Sequence, residues 1–125
     1  MITPADRWRH LLRGELLNAR KQRDTVRVAA LRSALAAVDN AETPDDARVA
    51  TGTGPIAGSV AGLGAAEVAR RTLSDQHIRA LLTAEVDERV SAAADAAAGG
   101  FPERAALLRS EAEVLTGLLS DVGPA

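Results

Sequence analysis

Basic side chains are the feature of this sequence that most directly indicates a binding chemistry. Residues 1–32 hold eight Lys or Arg against three Asp or Glu, a net charge of +5, whereas residues 33–125 hold seven against fourteen, a net charge of −7. Arginine-rich helices attract nucleic acids, with an affinity that falls as the salt concentration rises. The candidate nucleic-acid-binding residues are Arg9, Arg13, Arg20, Lys21, Arg23, Arg27 and Arg32.

The same charges have a second, structural interpretation. Long Arg side chains can cover the edge of an apolar core and pair with acidic residues of another segment. Such pairing with the acidic C-terminal half would also explain the uneven charge distribution, so both interpretations remain open at this point.

Acid–base and metal chemistry have weaker support. Glu85 and Glu88 share a helical face, and paired carboxylates can act as acid and base. Arg89 follows Glu85 by four residues, however, which is the spacing of an ion pair on a solvated helix. His10 and His77 have no partner at metal-ligand spacing. We expect no catalytic residue, no metal and no cofactor.

A glycine-rich stretch contains Gly52 and Gly54 followed by Ala57, a loose match to a dinucleotide fingerprint. That fingerprint needs a strand before the glycines and a helix after them, and the surrounding sequence predicts neither. The composition of residues 48–66 instead predicts a mobile linker.

Four helices must position these side chains. The predicted N-caps are Thr3 for the first helix, Asp24 or Thr25 for the second, and Ser74 for the third. Gly99 and Gly100 are expected to end the third helix as a left-handed C-cap. Pro102 is expected to begin the last helix. Leu73 is expected to pack on Ile78 as a hydrophobic staple. The helical period predicts helices over about 3–22, 25–41, 74–98 and 102–119.

The apolar stripes of these helices predict the core. Gly14 interrupts the first stripe and suggests a close helix crossing or a bend. The predicted buried residues are Trp8, Leu11, Leu12, Leu16, Ala19, Val28, Leu31, Leu35, Val38, Ile78, Leu81, Leu82, Val86, Val90, Leu108, Ala112, Leu115, Leu118 and Leu119.

Composition restricts the class of protein. The chain has 125 residues, no Cys and 2% aromatic residues, which disfavours β-sandwiches, disulfides and thiolate sites. We predict one all-α domain over 1–125, a bundle of two antiparallel helix pairs joined by a flexible Gly-rich loop; the short first turn also fits a bent helix pair. Without a signal peptide or an apolar membrane span, we expect a cytoplasmic protein.

Two blocks of the sequence resemble the YqeY family, which is related to the tail region of the B subunit of glutamyl/aspartyl-tRNA amidotransferase. The first block includes LRSALAAVDNAE, and the second includes LSDQHIRALLTAEVDER, a glycine break and SEAEVLTGLL. Besides Lys21, Arg23 and Asp24 in the first block, the family motif falls on Leu31, Arg32, Leu35, Asn40, Glu42, Glu85, Arg89, Gly100 and Glu111.

The resemblance implies a helical domain associated with tRNA. The family's inherited label is carbon–nitrogen ligase activity with glutamine as amido-N-donor, although nothing here resembles an amidase or ATP site. The family's small C-terminal helical domain is expected to be absent from this chain. The predicted function is therefore a non-catalytic, amidotransferase-related accessory domain that contacts tRNA or a component of the tRNA-charging or amidotransferase machinery.

A protein–protein adaptor is the alternative function. In this interpretation, the apolar edge around Trp8 and the hairpin of residues 74–119 would hold a partner helix or a second copy of the chain.

Overall fold

The computed structural model describes residues 2–44 and 71–123. These residues form four helices, α1 (Pro4–Lys21), α2 (Thr25–Glu42), α3 (Asp75–Ala98) and α4 (Pro102–Asp121). The described part of the chain contains no β-strand, so the predicted all-helical class is confirmed. The predicted linker at 48–66 and its glycine fingerprint lie outside the described residues.

Local sequence sets the helix boundaries. Thr3 accepts a hydrogen bond from the Asp6 N–H at 3.1 Å, and Ser74 accepts one from the His77 N–H at 3.0 Å. Of the two candidate caps for α2, the structure uses Asp24, whose carboxylate accepts from the Arg27 N–H at 3.1 Å. Each cap satisfies one of the backbone donors that a helix start leaves without a partner.

The α2 helix packs against α1, α3 and α4. The α3 and α4 helices also pack on each other, and α1 contacts α3. Burial of a large apolar side chain stabilises the fold by about 1.5–3 kcal/mol, so these contacts dominate the stability. The largest fully buried side chains are Trp8, Leu12, Leu31, Val38, Ile78, Leu82 and Leu115.

The structure contradicts the predicted burial of Val90 and one of the two interpretations of Gly14. Val90 is 54% exposed because the central core along α3 ends near Leu82 and Val86. Beyond that point α3 and α4 bury only small residues such as Ala93 and Ala105. Gly14 does not mark a close helix crossing, because a Cβ added there would meet nothing within 4 Å.

Membrane insertion has no support in the described residues, where none of the helices combines the length and the apolar character of a membrane span.

Candidate nucleic-acid interface

Arg9 belongs to the structural framework. Its guanidinium contacts Glu42 and lies 3.1 Å from carboxylate oxygens of both Asp6 and Asp39. The Arg9 side chain is only 12% exposed. Arg9 therefore ties α1 to the end of α2, and its charge is already matched by nearby carboxylates.

Arg27 is engaged in a similar way. Its Nη2 donates to Glu15 at 2.6 Å, and its Nη1 donates to Gln22 at 3.1 Å. For Arg9 and Arg27 the structure thus matches the idea that arginines pair with acidic residues. The carboxylates that pair with Arg9 and Arg27 belong to α1 and α2, however, whereas the sequence interpretation placed these carboxylates in the acidic C-terminal half.

The other five candidate cations are exposed, and none of them forms an ion pair with any residue in the ranges that the structure describes. Their charges are solvated, and no carboxylate of the described residues matches them. These five residues, called the basic surface below, are Arg13, Arg20, Lys21, Arg23 and Arg32.

The Arg9–Asp39 contact locates the basic surface on the helix pair. Arg13 and Arg20 follow Arg9 by four and eleven residues, close to one and three helical turns, so they lie on the same side of α1. Arg32 precedes Asp39 by seven residues, or two turns, and lies on the corresponding side of α2. Three of the five cations therefore share one face of the α1–α2 pair.

The turn between α1 and α2 carries the remaining members of the basic surface. The Arg23 N–H donates to the Arg20 carbonyl at 3.0 Å, and the Asp24 N–H donates to the Ala19 carbonyl at 2.9 Å. This is a Schellman motif, in which the residue after the C-cap adopts a left-handed backbone. Arg23 occupies that position with φ of 57°, so Arg20, Lys21 and Arg23 surround a tight turn.

A polar network connects α2, α3 and α4 on another side of the domain. Ser33 donates to Glu85 at 2.5 Å, and Arg89 donates to the same Glu85 oxygen at 3.1 Å. Arg89 also donates to Glu111 at 3.0 Å. The predicted Glu85–Arg89 ion pair is confirmed. Because Arg89 and Ser33 hold these carboxylates, the network orients helices and leaves neither carboxylate free for acid–base work.

A second cluster joins α1, α3 and α4 around Asp75. The Trp8 indole N–H donates to Asp75 at 2.7 Å, and Arg79 Nε donates to it at 2.8 Å. The Trp8 hydrogen bond, followed by that of Arg79, lowers the pKa of Asp75 below its ordinary value. Arg79 also lies over the Trp8 ring and donates to the Val122 carbonyl at 2.7 Å.

The remaining candidate residues are dispersed. Leu31 is buried, Leu35 is partly buried, and Asn40 is exposed at the end of α2. Both His10 and His77 are exposed, and no group of three or more potential metal ligands occurs among the described residues. Gly100 has φ of 86°, which confirms the predicted left-handed end of α3.

Sequence reasoning missed the Ser33 contact and the Trp8–Asp75–Arg79 cluster. Asp75 was visible only as an acidic residue in the first turn of a helix, and nothing in the sequence marks Ser33. Comparison with known proteins adds no further assignment, since no family description, curated protein or solved structure matches this chain.

Proposed function

We propose that this chain is a non-catalytic helical domain of YqeY type that contacts tRNA through α1 and α2. The observation that carries this proposal is the basic surface, in which five exposed cations lack an ion-pair partner among the described residues. Phosphate contacts of this kind supply most of the sequence-independent affinity for nucleic acids. The partner is tRNA or a component of the tRNA-charging or amidotransferase machinery, in the cytoplasm.

The arrangement of the motif residues supports the family resemblance. Glu85 and Arg89 come from the first part of the second motif block and Glu111 comes from its last part, yet they form one hydrogen-bonded network. Similarly, Glu42 from the first block contacts Arg9. Several motif positions therefore join helices, as expected of a family defined by its fold.

The proposed framework is two antiparallel helix pairs. Arg9 near the start of α1 contacts Asp39 near the end of α2. Arg79 near the start of α3 donates to the Leu119 carbonyl near the end of α4 at 3.3 Å. Both contacts support opposite chain directions within each pair. In this proposal the basic surface belongs to the α1–α2 pair, and the α3–α4 pair is acidic.

The inherited ligase label is not part of this proposal. The carboxylates of Glu85 and Glu111 are both held by Arg89, which directs them into the helix contacts. We expect no glutamine-dependent amide transfer by the purified chain.

A direct test compares tRNA binding by two variants of equal charge change. Arg20→Glu with Lys21→Glu reverses two cations of the basic surface, whereas Arg104→Glu with Arg109→Glu reverses two exposed cations on α4. Fluorescence anisotropy at low salt should show a large loss of affinity for the first variant and a small one for the second. Absence of tRNA binding by the wild-type chain at low salt would reject the proposal.

The adaptor alternative needs a different surface from the one predicted. Trp8 is 1% exposed, so its ring packs inside the domain and is not available to a partner. The exposed Val90 instead lies in an apolar groove between α3 and α4, together with Val86 and Ala112. If this groove binds a protein, Val90→Asp should abolish that complex without changing tRNA binding.

A further inference from the structure

We infer that Arg23 is a phosphate-binding residue, held at the tip of the α1–α2 turn at the expense of backbone strain, and that the turn contacts RNA phosphates without reading bases. This inference rests on the proposed function and identifies the part of the basic surface that makes the decisive contact.

The first observation is the backbone conformation of Arg23. A left-handed residue brings its Cβ close to its own carbonyl oxygen, which is why glycine is strongly preferred at the position after a helix C-cap. Arg23 nevertheless adopts φ of 57°. A conformation that disfavours an arginine persists only where the surroundings impose it, and such positions concentrate at functional sites.

The same chain provides an internal comparison. The end of α3 has the same pair of hydrogen bonds, from the Gly100 N–H to the Ala97 carbonyl at 3.2 Å and from the Phe101 N–H to the Ala96 carbonyl at 2.8 Å. There the left-handed position is occupied by Gly100, with φ of 86°. The two helix ends have equivalent backbone geometry. The end of α3 has the glycine that this geometry favours, whereas the end of α1 has an arginine.

Contacts within the domain do not explain the arginine. The Arg23 side chain is exposed, and it forms no hydrogen bond or ion pair with any side chain of residues 2–44 or 71–123. Nearby, Arg27 is held by Glu15 and Gln22, and the Asp24 carboxylate caps α2. The cations that remain available at the turn are thus Arg20, Lys21 and Arg23.

The surroundings of the turn indicate the class of ligand. Base recognition in single strands uses exposed aromatic rings, but Trp8 is buried and Phe101 lies at the start of α4. A membrane surface would require an apolar face beside the cations, and the neighbouring helix end offers only Leu17 as an exposed large hydrophobic residue. A turn that presents cations but no aromatic rings favours binding to the phosphates of the RNA backbone, without preference for base sequence.

The test uses the full chain with Arg23→Gly, Arg23→Lys and the control Arg104→Gln, which removes an exposed cation of α4 outside the basic surface. Each protein is titrated with tRNA and with an unrelated structured RNA at several salt concentrations. Removal of one phosphate contact should weaken binding on the order of threefold to tenfold, and should lower the slope of log K against log salt by about 0.7–0.9. Arg23→Gly should show both effects with both RNAs, and it should raise the thermal midpoint because glycine relieves the left-handed strain. Arg23→Lys should retain most of the affinity, and Arg104→Gln should bind both RNAs nearly as tightly as the wild-type chain.

The outcomes separate the two proposals. If the wild-type chain binds no RNA, the proposed function fails. If the wild-type chain binds RNA but Arg23→Gly binds equally well, or Arg23→Lys is as weak as Arg23→Gly, the role of the Arg23 charge is overturned while RNA binding stands. Binding to vesicles of anionic phospholipid that depends on Arg23 and is not reversed by RNA would also overturn the inference.

Discussion

Arg89 Nε lies 3.0 Å from Glu111 Oε1, and this contact joins α3 to α4 at the level where α2 reaches them. The Arg89 and Glu111 side chains are only 12% and 13% exposed, so water screens the pair weakly. Arg89 also holds Glu85, which places one guanidinium between two carboxylates. The network therefore depends on Arg89 more than on either acid alone.

The first prediction concerns Arg89→Met. Loss of the guanidinium leaves two largely buried carboxylates without their cation, which should lower the free energy of unfolding by about 2–4 kcal/mol. Urea denaturation followed by circular dichroism measures the loss. The exposed Arg109→Met is the control and should change little. Adding Glu85→Gln and Glu111→Gln to Arg89→Met should restore part of the stability. A triple variant with a lower free energy of unfolding than Arg89→Met would contradict the electrostatic explanation.

The second prediction separates two arginines that lie one helical turn apart. Arg9→Met removes the guanidinium that contacts Glu42, Asp39 and Asp6, and it should cost about 2–3 kcal/mol of unfolding free energy. Arg13→Met removes an exposed cation and should stay within about 0.5 kcal/mol of the wild-type value. Thermal denaturation of both variants in parallel is sufficient. Equal stability of the two variants would mean that the Arg9 cluster does not hold α1 to α2.

The third prediction uses glycine. A Cβ at Gly14 would meet nothing within 4 Å, and Gly14 lies inside α1, so Gly14→Ala should stabilise the protein by about 0.5–1 kcal/mol. Gly100→Ala is the contrasting control, because its φ of 86° disfavours alanine, and it should destabilise by about 1 kcal/mol. Calorimetry of both variants should show thermal midpoints that move in opposite directions.

The fourth prediction is a pH dependence due to Asp75. The Trp8 and Arg79 hydrogen bonds lower the pKa of Asp75 in the folded state. Its ionised form therefore contributes stability that is present above the unfolded pKa of about 3.9 and is lost as the pH falls through the lower folded pKa. Asp75→Asn should reduce stability at neutral pH and flatten its fall below about pH 4. The free energy of unfolding, measured from pH 7 to acid for both proteins, provides the comparison; parallel curves would exclude this role.

Much of the helical framework was accessible from the sequence because its causes are local. The N-cap at Thr3 and the apolar stripe that contains Leu12 and Leu16 each depend on residues a few positions apart, and the same holds for the cap at Ser74. The left-handed Gly100 follows from the absence of a Cβ. Such features are properties of a chain segment, and packing with other helices does not alter them.

The members of the basic surface could not be identified from the sequence in the same way. Arg9 and Arg13 are both arginines of α1 and lie one helical turn apart, but only the position of α2 decides that Arg9 contacts Glu42 while Arg13 stays exposed. The partners of Asp75 likewise come from α1 and from its own helix, and those of Glu85 from α2 and from its own helix. Helical period and capping are short-range, so the sequence alone determined the rods and their ends. The distances between side chains of different helices are set only when the core packs. That packing decided which arginines form ion pairs within the fold and which stay exposed to solvent.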